Sequence, residues 1–419
     1  MAAVEQAVSL RQDAEVIGLV GVAHACSHFS QLVMPPLFPW LMKDFGLSFT
    51  QAGFLVTVFF VVSGIGQAAA GFVVDRVGAR PVLLFGVGTV AVSAIVLGLA
   101  SGYAGLVAAA AVAGAGNSIF HPADFTLLNR RVSPSRLGHA FSVHGLAGNL
   151  GWALAPVSMA GIASIADWHV AALCAAAVGL VVFLVLLARR DVLDDSAVES
   201  VVAARLATSE PVAGSQLGFL RSGAVWMCFV FFFCITAAFG VLQSYAPAIL
   251  GDVYGLQLAL ATAALTAYLL GSAAGTLLGG FVAARTEEND RVIGLALGVS
   301  AVIALILAWG VLPGWSVIAL MTCMGFGAGV AGPSRDLLVR RAATARFGKS
   351  SYGRIYGFVY SGLDVGLAAT PLVFGPLLDH GRFSAALVGV AVLQCAALAS
   401  AARVGRRVRI ERVATGAST

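Results

Sequence analysis

Charge is what this sequence has least of. Asp, Glu, Lys and Arg make up 11% of its 419 residues, against about 25% in soluble domains. With 59% of residues hydrophobic and a mean hydropathy of +0.93, no water-soluble fold could cover the apolar surface. Other absences narrow the field. There is no Cys-x-x-Cys spacing. Cys26, Cys174, Cys228, Cys234, Cys323 and Cys395 all fall in apolar stretches, so a disulfide framework is excluded and they read as small apolar fillers. No Walker loop is present, so ATP hydrolysis does not drive the protein. No His-Glu-x-x-His helix is present either, and neither an enzymatic activity nor a cofactor is expected. The absence of any Asn-x-Ser/Thr acceptor fits a bacterial inner membrane. Glu5, Asp13 and Glu15 spoil the basic start of a cleavable leader, so the first apolar stretch is expected to stay in the mature protein.

What is abundant is length without charge. A bilayer core of about 30 Å takes about 20 apolar residues per helix. Residues 16–42, 45–74, 137–166, 168–188, 222–251, 253–284 and 383–402 each supply one span. Residues 81–123 and 292–334 are twice the needed length and carry turn signals at Ser101-Gly102 and Leu312-Pro313-Gly314, so each is a pair of spans. Residues 353–378, apolar apart from Arg354 and Asp364, complete a set of twelve. Lys and Arg collect in alternate loops and both tails, while the opposite loops hold only Lys43 and Arg382. Both termini are therefore expected in the cytoplasm, and the net charge of +5 records topology, with no nucleic acid involved.

The chain also repeats itself. A shift of 211 lays Gly114, Gly116, Pro122, Leu127 and Arg130 on Gly325, Gly327, Pro333, Leu338 and Arg341; a shift of 215 lays Gly138, Gly151 and Pro156 on Gly353, Gly366 and Pro371. The expected organisation is a tail at 1–15, a six-helix bundle at 16–188, a polar cytoplasmic linker at 189–220, a second bundle at 221–403 and a basic tail at 404–419. Two pseudo-symmetric bundles of this kind rock about a site near the membrane midplane.

Between spans two and three stand Gly71, Asp75, Arg76, Gly78 and Arg80. In physical terms, Gly71 permits close helix approach, Gly78 a tight turn, Asp75 can cap a neighbouring helix, and the arginines can clamp carboxylates. This Gly-x-x-x-Asp-Arg-x-Gly-x-Arg run resembles the loop motif of the major facilitator superfamily, which implies its twelve-helix fold and a gating latch formed by these five residues. The equivalent segment, Gly280 to Arg285, lacks the aspartate. Gly114, Gly116, Asn117, Phe120, His121 and Pro122, with Arg136, Gly138, Gly148, Asn149, Gly151 and Pro156, resemble the fosmidomycin-resistance branch of that superfamily, whose members are efflux carriers. The branch's acid directly after His-Pro is Ala123 here, with Asp124 one place later.

Titratable side chains at membrane depth are costly and functional by default. His24 and His28 share one face of span one, His121 falls at a similar depth on span four with Asp124 one turn nearer the cytoplasm, and His144 enters from span five. With Asn117 and Asn149 these are candidate substrate or proton groups. In the second half the candidates are Asp364, which matches Asn149, Tyr356 and Tyr360 on its face, and Arg335, which could pair across the halves with Asp124. Gln243, Ser244 and Tyr245 add polar lining. Paired imidazoles with a carboxylate also suit a transition metal or its chelate, and plain interhelical hydrogen bonding is the bland alternative.

The expectation is a monomeric secondary transporter of the bacterial inner membrane. It exports a small polar or anionic compound by alternating access in exchange for protons. Proton-coupled uptake of a small organic acid and transport of a metal or metal chelate are the alternatives.

Overall fold

The computed structural model describes residues 10–133, 136–194, 221–286, 288–347 and 352–415. All regular structure in them is helical. In chain order the helices are α1 (Leu10–Gln31), α2 (Phe38–Phe45), α3 (Phe49–Val77), α4 (Ala79–Gly98), α5 (Tyr103–Asn117), α6 (Phe120–Arg131), α7 (Leu137–Ile165) and α8 (Trp168–Ala188). After the linker come α9 (Gly223–Tyr254), α10 (Leu258–Arg285), α11 (Asn289–Trp309), α12 (Val317–Phe347), α13 (Tyr352–Asp379) and α14 (Phe383–Thr415).

Among the described residues, twelve segments are long and apolar enough to cross a bilayer, the first running Leu10–Phe45 through α1 and α2 and the fourth Tyr103–Arg131 through α5 and α6. Both double-length stretches divide at their turn signals, between Gly98 and Tyr103 and between Trp309 and Val317. Side chains such as Ile65, Phe85, Leu180 and Leu295 are exposed, as a surface facing acyl chains requires.

Two compact units result: Met1–Met34 with Val62–Val212, and Pro35–Val61 with Ala213–Thr419. The grouping departs from the sequence-based boundaries at 35–61, and hydrogen bonds explain why. Thr57 Oγ1 donates to the Ala368 carbonyl (2.8 Å), Tyr245 Oη donates to the Phe49 carbonyl (3.2 Å), and Asp379 accepts the Phe49 and Thr50 amides. The first half of α3 is therefore built into the second unit.

In the first unit Val16, Val20, Leu83, Val87, Leu127 and Leu128 form the apolar core. In the second, α10 and α12 interlock through small residues. A Cβ on Gly271, Gly275 or Gly279 would overlap the carbonyl of Thr322, Phe326 or Val330, and one on Gly325 or Gly329 that of Tyr268 or Ser272. Small-residue ladders let transmembrane helices pack backbone to backbone, where dispersion replaces the missing hydrophobic drive.

Candidate functional site

Helical spacing on α1 puts His24, Ser27, His28 and Gln31 on one face, at i, i+3, i+4 and i+7. The fourth span supplies their partners through a break. α5 stops at Asn117 and α6 starts at Phe120, and Pro122 has no N–H to offer the Ser118 carbonyl. The break in the fourth span thus lies just before Pro122. On α7 two glycines admit α1. A Cβ on Gly151 would overlap the Ala25 carbonyl, and one on Gly148 would stand 2.7 Å from His28 Nδ1 and 2.9 Å from His24 Nε2.

Two polar networks fill this contact. In one, Asp124, which is 0% exposed, shares its Oδ2 in hydrogen bonds with His24 Nδ1 at 3.1 Å and His144 Nε2 at 3.0 Å. The imidazoles pile on one another. His24 stacks on His144 with ring centroids 3.5 Å apart, His28 tilts against His24 at 4.3 Å, and Trp152 stacks on His28 at 4.1 Å. His121, half-buried, lies edge-on to His24 at 5.4 Å, with its Nδ1 3.3 Å from Gln67 Oε1.

The other network turns on Asn117. Its Oδ1 accepts from Ser27 Oγ (2.9 Å) and Gln31 Nε2 (3.0 Å), its Nδ2 donates to Ser63 Oγ (2.8 Å), and Gln31 Oε1 accepts the Trp152 indole N–H (2.9 Å). Amides suit this position because each both donates and accepts.

His24, His28, His121, Asp124 and His144 therefore form one cluster, with Asn117 beside it. Asn149 is half-buried and takes no part in the hydrogen bonds of either network. His139 is exposed. Within its own unit Asp124 is enclosed by histidines, and within the other unit the Arg335 guanidinium lies over the Phe232 ring at 4.7 Å. Tyr360 leans on that same ring at 4.7 Å, and Asp364 is half-buried. Tyr245 is bonded to Phe49 and packs as a structural group. The side chains of Asp75, Asp336 and Tyr356 lie outside the described residues.

Of the loop motif, Gly78 has φ 90°, which only glycine adopts without strain, and Arg80 pairs with Asp194 of the linker at 3.4 Å. Arg76 is exposed. Gly71 does not serve the expected close approach, since a Cβ there meets nothing within 4 Å. Sequence reasoning missed Gln31, Ser63, Gln67 and Trp152. None is ionisable, so a search for charge in apolar stretches passes over them; Gln31 and Trp152 do share helices with the histidines, and Ser63 and Gln67 stand four apart on α3.

A family model described as the Major Facilitator Superfamily matches residues 20–346. The "Fosmidomycin resistance protein" of Escherichia coli (strain K12) is 26% identical over 366 residues, covering 87% of this chain and 86% of that one. The "Membrane sensor protein UhpC" of the same organism is 24% identical over 397 residues, covering 89% and 88%. Among solved structures, a bacterial homolog of the human lysosomal transporter Spinster, in an inward-facing and occupied conformation, superposes with a TM-score of 0.72 at 15% identity, covering 95% of this chain and 98% of that one; at that identity the likeness speaks for the fold alone.

Proposed function

The chain belongs to the major facilitator superfamily, and from that premise we propose that it is a proton-driven exporter of a small polar or anionic organic compound, working by alternating access. The observation that carries the reading is the pair of buried polar networks on α1, α5, α6 and α7. Side chains of this kind are retained at membrane depth where they handle a solute or an ion. Asn117, Ser27, Gln31 and Ser63 offer both donors and acceptors to a polar solute, and Arg335 with Tyr360 would favour an anionic one. Asp364 is the proposed proton carrier, a half-buried carboxylate deep in the eleventh span. The name of the fosmidomycin-resistance relative supports the outward direction in this reading. Under the same reading the protein sits in a bacterial inner membrane with both termini in the cytoplasm, acts as a monomer, and uses Asp75, Arg76 and Arg80 as its gating latch.

A panel of small organic anions on proteoliposomes with an imposed pH gradient is the test. Saturable flux with counterflow, and proton movement in the opposite sense, are expected. Asp364→Asn should abolish the response to the gradient while counterflow persists. A normal pH response in that variant removes Asp364 from the coupling. Because one relative is named a sensor, flux and not binding alone is the deciding readout: binding without flux would refute transport.

A further inference from the structure

We infer that His24, His28 and His121 form a binding site for a divalent first-row transition metal, with Asp124 as its outer support. With Asp124 ionised, its contact with His24 Nδ1 places the ring proton there and turns the Nε2 lone pair to a ligand. His28 Nδ1 is buried with no hydrogen-bond partner. These two nitrogens face the same spot, the space over Gly148 where a Cβ would lie 2.7 Å from one and 2.9 Å from the other. His121 uses Nδ1 toward Gln67, which leaves Nε2 for a ligand. One ring nitrogen from each of His24, His28 and His121 lies within 4.8 Å of the other two.

Imidazole nitrogen is the donor that selects Zn, Cu, Ni or Fe over Mg or Ca. The Asp124···H–Nδ1 bond to His24 is the carboxylate–histidine–metal arrangement that orients a ligating ring and raises its basicity. A tetrahedral site with bonds of about 2.0–2.1 Å has edges of about 3.4 Å, so the rings must close by roughly an ångström. Rotation about the soft terminal torsion of histidine supplies it. The fourth position is left for water on the side of His121, the one half-buried member.

Packing alone does not demand these residues, because the second bundle repeats the helix contacts without them. Gly366 presses on the Phe233 carbonyl as Gly151 presses on that of Ala25. That equivalence sets Phe232 opposite His24 and Thr236 opposite His28, while the sequence shifts of 211 and 215 set Gly332, Arg335 and Val359 opposite His121, Asp124 and His144. None of these five positions carries an imidazole or a carboxylate, and the same framework is satisfied there. The site needs no transport to exist, so its test is separate from that of the exporter reading.

The test uses full-length, tag-free protein in detergent, stripped with chelator and titrated with Co²⁺ and Zn²⁺. One equivalent of Co²⁺ with the visible bands of a tetrahedral ion is expected, and X-ray absorption of the Zn²⁺ form should show nitrogen at about 2.0 Å. His28→Gln and His121→Gln should each abolish stoichiometric binding. Gly148→Ala should weaken it by filling the space between the two nitrogens, and Asp124→Asn should weaken it about 10- to 100-fold. His139→Gln, an exposed histidine of the same unit, should bind as wild type. Wild-type protein that stays monodisperse and takes up less than a tenth of an equivalent would overturn the inference; so would binding that survives both His28→Gln and His121→Gln.

Discussion

Removing the carboxylate of Asp379 should loosen one helix end by an amount the structure allows to be worked out. α3 begins with a reciprocal capping box: Ser48 Oγ accepts the Gln51 amide at 3.2 Å and Gln51 Oε1 accepts the Ser48 amide at 3.0 Å. The box leaves the Phe49 and Thr50 amides, and Asp379, the last residue of α13, takes both. Oδ1 accepts Phe49 N–H at 2.6 Å, and Oδ2 accepts Thr50 N–H at 3.1 Å together with the Thr50 hydroxyl. Loss of a helix N-cap costs about 1 kcal/mol, and loss of an exposed negative charge at a helix N-terminus about 0.3–1 kcal/mol. Since Asp379 is exposed, the two together set Asp379→Ala at about 1.5–2 kcal/mol. At 1.36 kcal/mol per decade that is roughly 10- to 30-fold in the local opening constant. Asp379→Asn keeps a carbonyl acceptor and loses the charge, so about 2- to 5-fold is expected from the dipole share alone. Hydrogen exchange read by mass spectrometry on peptides covering 47–57 reports that constant. The gain should be confined to Phe49 and Thr50, because the Ser48–Gln51 box survives both variants. Exchange unchanged within twofold in Asp379→Ala would refute the capping argument, and a uniform rise along α3 would show that the variant had unfolded instead.

Two further outcomes follow from packing and burial. Gly275→Leu should drive a side chain into the Phe326 carbonyl and lower the thermal midpoint in detergent, by about 2 kcal/mol or more in stability, whereas Gly280→Leu on the same helix, where a Cβ meets nothing within 4 Å, should behave as wild type. Asp13, 0% exposed, accepts the Ser133 amide at 3.1 Å, the Ser133 hydroxyl at 2.7 Å and the Arg136 guanidinium. Asp13→Ala should therefore destabilise the first unit by about 1–3 kcal/mol, read by thermal melting, with the additional substitution Arg136→Met recovering part of the loss.

Spans were legible from sequence because membrane insertion depends on something local, about 20 residues without charge, and the turn signals at Ser101-Gly102 and Pro313-Gly314 are equally local. The histidine cluster was legible for a related reason: i,i+4 spacing on one helix and a shared depth on another are arithmetic on a 1.5 Å rise. What could not be read is pairing across the chain. Nothing near Asp379 says that it caps a helix 330 residues earlier, and nothing near Asp124 points to His24, 100 residues before it. Gly71 fails in the opposite direction, since a motif glycine implies a close neighbour that its surroundings do not supply.

The internal repeat shows why one bundle holds the cluster and the other does not. The contact of Asp124 with His24 has its counterpart in Arg335 over Phe232: the same two positions face each other, but a carboxylate on an imidazole has become a guanidinium on a benzene ring. Both pairs are attractive and both hold the fourth-position helix of their bundle against its first, so either satisfies the fold. They differ in what they leave over. His24 bonded through Nδ1 keeps a lone pair on Nε2, and Thr236, opposite His28, spends its hydroxyl on the Leu363 carbonyl at 3.1 Å where His28 Nδ1 stays unbonded. At these positions the second bundle closes the Thr236 hydroxyl on backbone, while in the first His24 and His28 turn two nitrogens toward one space. A fold indifferent between the two solutions does not explain that difference, and the proposed ion site would account for it.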